Sequence, residues 1–170
     1  MSFCTILHSL KSPQNVGMIV RTHVAYGGSE FIITGNDLPW RFKKGSQAFS
    51  RKLENLCGVK HIENPIDTLN WCKSNGYSTV AIEINPDKTV FLDEFDFPEK
   101  TAIILGNEAL GLDTNFLEQC DYIVTIRQFG DVGSLNVAIS ASVAMYELNR
   151  SNKNSSTLIG NKYYEFKEND

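Results

Sequence analysis

Paired cysteines, clustered histidines, long apolar runs and an excess of positive charge are all missing from this 170-residue chain, and each absence removes a class of protein. Cys4, Cys57, Cys72 and Cys120 stand singly, with no C-x-x-C spacing. Neither a disulfide framework nor a zinc knuckle is therefore expected, and the four read as buried or partly buried thiols. His8, His23 and His61 are equally dispersed, and no His/Cys/carboxylate cluster has metal-ligand spacing, so no metal is expected. No apolar stretch approaches the roughly 20 residues of a membrane span. The opening MSFCTILHSLKS carries no basic segment ahead of a long apolar core. A cytoplasmic protein with no membrane partner is the expectation. Lys and Arg number 16 against 20 Asp and Glu, a net charge of −4, which argues against a surface that coats nucleic acid along its whole extent.

The basic charge that exists is concentrated. Arg41, Lys43, Lys44, Arg51 and Lys52 fall between Leu38 and Leu53 with no acid among them, and Trp40, Phe42 and Phe49 are interleaved. Two readings stand: a solvated loop and helix face, or a local phosphate-contacting surface with aromatics available for stacking.

With 42% hydrophobic residues the chain has enough apolar material for one core, and a single domain over 1–150 followed by a polar tail over 151–170 is expected. Short β-rich runs alternate with helical patterns. FCTILH, EFIITG, VKHIE, STVAIEI, TAIILG and YIVTI read as strands; Pro13 to Tyr26, Pro65 to Ser74, Asp113 to Cys120 and Ser134 to Arg150 read as helices. That alternation predicts an α/β fold, a mostly parallel sheet with helices on both faces. Ser12-Pro13 and Pro65 mark helix starts, Gly27-Gly28 and Asn75-Gly76 helix ends. In the second of these helices Ile66, Leu69 and Cys72 recur every three residues. In the last helix Leu135, Ile139, Val143 and Tyr146 recur every three or four residues and predict one buried stripe.

Three segments carry polar residues where a strand ends or a helix begins. In open α/β sheets ligands bind beyond the carboxyl ends of the strands, so the three can meet. The first, SPQNVGMIVRTHVAYGG, places Asn15 and Arg21 on an otherwise apolar helix, where Arg21 alone reads equally as a surface ion-pair partner. The second, GNEALGL, follows the strand TAIIL and offers Asn107 and Glu108 between Gly106 and Gly111. It lacks the Lys-Ser/Thr that holds a triphosphate, which disfavours a nucleotide triphosphatase. The third, IRQFGDVGSLN, leads from YIVTI into the terminal helix; Ser134 is placed to cap that helix, and Asn136 reads either as a local structural group or as part of a site.

Taken in this order, the segments resemble the three motifs of the SpoU/TrmH branch of the SPOUT methyltransferases. Asn15, Gly17, Ile19, Arg21, Thr22 and Gly27 match N-x-G-x-I-x-R-T with its glycine turn. Leu105 through Leu112 match L-G-N/P-E-x-x-G-L, and Ile126, Gly130, Val132, Ser134, Leu135, Asn136 and Val137 match I-P-x-x-G-x-V-x-S-L-N-V. The similarity spans roughly residues 3 to 150. Within the branch, FPEKTAIILGNEALGL and the preceding AIEI look most like tRNA guanosine 2′-O-methyltransferases.

The resemblance implies a parallel sheet whose carboxyl-terminal third is threaded into a deep trefoil knot, a homodimer with the site near the subunit interface, and S-adenosylmethionine as cofactor. Carried over by position, backbone groups around Glu83, Gly106, Ile126 and Leu135, with Ser134 nearby, would hold the cofactor. Arg21, Asn15, Glu108, Ser134 and Asn136 would form the catalytic side. The implied activity is 2′-O-ribose methylation of RNA, tRNA favoured and rRNA the alternative. A rival is a non-catalytic RNA-binding scaffold that keeps the fold, against which the joint presence of Arg21, Asn15 and Asn136 weighs. At one place the pattern is broken: the family commonly has Pro after the third-motif Ile, and this chain has Arg127 followed by Gln128. That departure is expected to reshape the cofactor loop or to add a positive contact.

Overall fold

A computed structural model of the chain describes residues 1–35, 45–84 and 90–151, the side chain of residue 151 excepted. Seven strands form one sheet: β1 (Ser2–His8), β2 (Phe31–Thr34), β3 (Val59–Ile62), β4 (Ser78–Ile82), β5 (Val90–Phe91), β6 (Lys100–Leu105) and β7 (Tyr122–Thr125). Their order across the sheet is β3-β2-β1-β6-β4-β7-β5, and every pairing is parallel. The helices are α1 (Pro13–Ala25), α2 (Gln47–Ser50), α3 (Glu54–Cys57), α4 (Pro65–Ser74), α5 (Thr114–Leu117) and α6 (Val137–Ser151), with a 3₁₀ turn over Leu92–Glu94.

Strand alternation divides the core into two layers. Leu7, Phe31, Ile33, Val80, Ile103 and Val124 pack against Val16, Ile19 and Val20 of α1 and Ala141, Met145 and Leu148 of α6. Their neighbours in the strands, Ile6, Ile32, Ala81, Ile104 and Ile123, meet Leu69 and Cys72 of α4 and Phe116 and Leu117 of α5 on the other face. The near-continuous apolar runs of β1, β4 and β6 follow from being covered on both sides. The expected α/β fold, with helices on both faces of a parallel sheet, is the fold observed.

Local signals act as read. Ser12 Oγ accepts from Asn15 N and Pro13 opens α1; Asn64 Oδ1 accepts from Ile66 N ahead of Pro65. Cys4, Cys57 and Cys72 are buried and Cys120 partly so. Burial pushes the Cys57 thiol up to about 11 and Cys120 up to about 12.

Several expectations need correction. The terminal helix begins at Val137 rather than Ser134, and its cap is Asn136, whose Oδ1 accepts from Ala138 N and Ile139 N. Its buried stripe is Ala138, Ala141, Ala144, Met145 and Leu148, while Ile139 (46% exposed), Val143 and Tyr146 face outward. Alanines let the helix approach the sheet closely, so the bulkier stripe is the one left outside. Ile66 is likewise exposed. The Asp113 to Cys120 helix shrinks to Thr114–Leu117, and the two-residue β5 is too short to show a period. Of the basic cluster, Trp40, Arg41, Phe42, Lys43 and Lys44 lie outside the described residues, as does the tail beyond Ser151; Phe49, Arg51 and Lys52 are exposed.

His23 of α1 is fully buried, edge-on to Phe3 and Phe31, with Thr5 Oγ1 2.8 Å from Nδ1. Burial pushes its pKa down to about 4, against a weaker upward pull from Gly28. The unfolded chain therefore takes up this proton first, at 6.5. The stability contribution is full above that pH and declines towards pH 4, by roughly 3 kcal/mol. Urea midpoints measured between pH 7.5 and 4.5 are expected to fall less steeply for His23→Gln than for the wild type.

Candidate active site

Because all strands are parallel, the loops that follow them emerge along one edge of the sheet. Beyond the ends of the adjoining strands β6, β4 and β7 lies a cleft of about 310 Å³, within the usual size range of small-ligand sites. Its walls come from Ile82 to Ile84 after β4, Gly106 to Gly111 after β6, and Ile126, Gln128 and Gly133 to Leu135 after β7, with Val137 and Ser140 of α6.

Glu83 stitches these loops together. Its backbone N–H donates to Val124 O (3.1 Å), Thr125 Oγ1 donates to its carbonyl, and its carboxylate accepts from Ile84 N (2.9 Å) and Leu112 N (3.0 Å). Asn107 closes the second loop. Its Oδ1 accepts from Ala109 N and Leu110 N, its Nδ2 donates to Ser9 O at 2.6 Å, and its backbone exchanges two hydrogen bonds with Gly111. The turn is tight: a Cβ on Gly106 would lie 2.5 Å from the Gly111 carbonyl carbon, and Gly111 itself has φ +65°.

Glu108 ties that loop to α1. Its carboxylate accepts from Lys11 N and Ser12 N (2.9 Å each) and from Asn15 Nδ2 (3.0 Å). Asn136 Nδ2 in turn donates to Asn15 Oδ1 (3.2 Å). Burial alone would raise the Glu108 carboxyl; hydrogen bonds from Lys11, Asn15 and Ser12 outweigh it, and its pKa falls below the ordinary value. One chain of hydrogen bonds thus links the three motif segments.

The proposed residues separate into two groups. Glu83, Gly106, Glu108, Ile126, Ser134 and Leu135 line the cleft. Arg21, Asn15 and Asn136 do not. Asn15 is buried, with its amide spent on Glu108 and Asn136; Asn136 is spent on Asn15 and the cap of α6. Arg21 is exposed on α1 and its side chain makes no hydrogen bond or ion pair among the described residues, and the Ser134 hydroxyl likewise makes none. Asn107 and Gln128 were not singled out as site residues, although both sit inside the motif segments. Arg127 adds no positive contact to the cleft: its guanidinium lies 3.7 Å over the Phe91 ring and pairs with Asp93 and Glu94. Among the described residues no three His, Cys, Asp or Glu side chains are grouped to hold a metal ion.

Removing the hub of this network should be measurable. Glu108→Ala is expected to lower stability at pH 7 by roughly 1–2 kcal/mol in urea denaturation, solvent exposure keeping the cost below that of a buried charge. Because the folded carboxyl titrates below 4.5, the contribution is full above that pH and is lost as pH falls through the lowered value.

Residues 2–146 match the model of the SpoU rRNA methylase family. A protein of Staphylococcus saprophyticus assigned to the TrmH family of tRNA/rRNA methyltransferases is 30% identical over 150 residues, 88% of this chain and 59% of the relative. A 23S rRNA uridine 2′-O-methyltransferase of Streptomyces viridochromogenes is 30% identical over 139 residues, 80% of this chain and 48% of the relative. The chain thus spans about half to three-fifths of the length of these relatives. An AdoMet-bound rRNA methyltransferase from Sinorhizobium meliloti superposes with a TM-score of 0.72 at 25% identity, over 88% of this chain and 56% of the other. With its three motif segments linked by hydrogen bonds and the family match running over residues 2–146, the chain belongs to the SpoU rRNA methylase family.

Proposed function

We propose that this chain transfers a methyl group from S-adenosylmethionine to a ribose 2′-hydroxyl in RNA, with tRNA the favoured substrate and rRNA the alternative. The observation that carries the reading is the cleft at the ends of β4, β6 and β7, whose walls include the second and third of the segments that resemble the family motifs. Its lining suits the cofactor: Ile82, Ile126, Leu135 and Val137 offer apolar surface, while Glu83, Gly106 and Ser134 offer polar edges and accessible backbone. The bound cofactor would supply an electrophilic methyl on a sulfonium. The stretch from Phe97 to Leu112 favours tRNA; the named activity of the Streptomyces relative keeps rRNA in play. Such a role belongs in the cytoplasm, and no helix among the described residues is long and apolar enough to cross a membrane.

In-line displacement requires the ribose oxygen to be held against the methyl carbon and its proton removed. A guanidinium stays protonated and makes a poor base, so Arg21 acts by contacting the hydroxyl or an adjacent phosphate and stabilising developing negative charge. Ser134, at the cleft with a free hydroxyl, orients the ribose. Asn15, Asn136 and Glu108 hold the helix that carries Arg21 against the loops that carry the cofactor.

Arg21 stands outside the cleft of its own chain, and α6, which carries the outward stripe of Ile139, Val143 and Tyr146, is joined to α1 where Thr22 Oγ1 lies 3.3 Å from Ser142 Oγ. A second copy covering this apolar face would form the expected homodimer and bring a partner's Arg21 to the cleft. The trefoil threading of the carboxyl-terminal segment is part of the same reading, supported by the adjoining loops after β6 and β7.

Labelled S-adenosylmethionine with bulk tRNA tests the activity: incorporation into ribose is expected, with Arg21→Ala lowering transfer at least about a hundredfold while cofactor affinity stays within about threefold. No incorporation into any RNA fraction despite cofactor binding would favour the scaffold reading. In sedimentation equilibrium the wild type is expected as a dimer and Ile139→Glu/Val143→Glu as a folded monomer.

A further inference from the structure

The face of α1 that carries Arg21 also receives α2. Gly17 precedes Arg21 by one turn, about 6 Å along the helix, so the two share a face. A Cβ on Gly17 would lie 2.4 Å from Ser46 O, 2.8 Å from Phe49 Cβ and 3.1 Å from Ser50 N, so glycine is what lets α2 sit against α1. Arg51 and Lys52 follow directly and end α2 in the left-handed region, with φ of +56° and +63°. Glycine is the residue such a helix end favours, and a longer side chain held there costs stability. Neither side chain returns that cost within the fold. Both are exposed and make no ion pair or side-chain hydrogen bond among the described residues. The turn itself is held by other groups: Lys52 N donates to Ser50 Oγ, and the Ser50 hydroxyl donates to Glu54, whose carboxylate is buried and pairs with neither cation.

We propose that Arg51 and Lys52 hold phosphates of the RNA strand beside the target ribose, with the ring of Phe49 as a stacking platform for a neighbouring base. The assignment rests on the RNA methylation reading above. Arg21, Arg51 and Lys52 are three cations without ion pairs on one side of α1, in a chain whose net charge is −4, and Phe49, 39% exposed, packs at Gly17 in the same tract. Phosphate contacts position a nucleic acid without reading its sequence, and an aromatic ring accepts any base. Two cations beside an exposed ring therefore suit a polyanion with stackable bases, whereas an apolar protein surface would leave both charges buried and unpaired. Backbone strain kept where the fold gains nothing from it points to a benefit that lies in a partner.

Binding of labelled tRNA and rRNA to the full chain, with S-adenosylhomocysteine present and potassium chloride varied, tests the assignment. For the wild type the logarithm of the affinity is expected to fall linearly with the logarithm of the salt concentration. Arg51→Ala/Lys52→Ala should weaken RNA binding at least about tenfold and make that slope shallower by about 1.5, the loss of two phosphate contacts, while affinity for S-adenosylhomocysteine stays within about twofold. Arg51→Gly/Lys52→Gly should melt at or above the wild-type temperature, since glycine accepts this backbone, yet bind RNA as weakly as the alanine pair. Arg51→Lys/Lys52→Arg should restore the slope, and Phe49→Leu should weaken binding about fivefold or more with the slope unchanged. A wild-type slope in either folded charge-deleted variant overturns the assignment alone. So does conversion of those variants to monomers, which gives this face to a second copy. A wild type that binds S-adenosylhomocysteine but neither RNA overturns the RNA reading and the assignment with it.

Discussion

Parallel strand direction is the constraint from which the site follows. Seven strands that all run the same way must be joined by crossovers, so every loop following a strand opens on one edge of the sheet. The order β1-β6-β4-β7 then sets the loops after β6, β4 and β7 side by side, although 43 residues separate Glu83 from Ile126 in the chain. Glu83 converts proximity into a defined shape: its backbone binds the end of β7 and its carboxylate its own loop and the loop after β6, so the cleft is held by hydrogen bonds rather than by side-chain packing alone.

A second brace runs from the sheet edge to the α1 side. Glu108, Asn15 and Asn136 form a hydrogen-bonded line from the loop after β6, through the first turn of α1, to the cap of α6. The family resemblance places these residues in a catalytic set, although each read singly has a local structural explanation. In the fold their polar groups are largely spent on one another, which leaves Arg21 and Ser134 as the two of the five free to meet a substrate. The free pair sits on opposite sides of the problem, Ser134 in the cleft and Arg21 outside it. The homodimer proposed above, through the outward apolar stripe of α6, is the reading that would bring them together.

Much of this was legible in the residue order. Strand runs buried on both faces are apolar throughout, helix starts carry Ser-Pro or Asn-Pro, and the glycine-rich loops have no other reason to follow strands so regularly. Orientation was harder. The stripe Leu135, Ile139, Val143 and Tyr146 has helical spacing, yet the sheet receives Ala138, Ala141 and Met145 instead. Periodicity detects an amphipathic face only when the opposite face is polar, and α6 is apolar on both. The cap of α6 was misplaced for a related reason: Ser134 and Asn136 both suit a cap, and local chemistry does not choose between them, whereas the loop that must clear the cleft does.

The sequence by itself determined the parallel α/β class, the three segments that match the family motifs and the absence of paired cysteines or a metal-ligand pattern, because each is a property of short stretches of chain and their order. Only the tertiary structure decided which groups are left over. Glu108 and Asn15 become braces because they meet each other across 93 positions, Arg127 is tied down because β5 and the turn after it bring Phe91, Asp93 and Glu94 beneath it, and the Gln128 side-chain oxygen is left buried without a partner among the described residues. Whether a polar atom is satisfied depends on neighbours that packing supplies from far along the chain, and no local pattern encodes it.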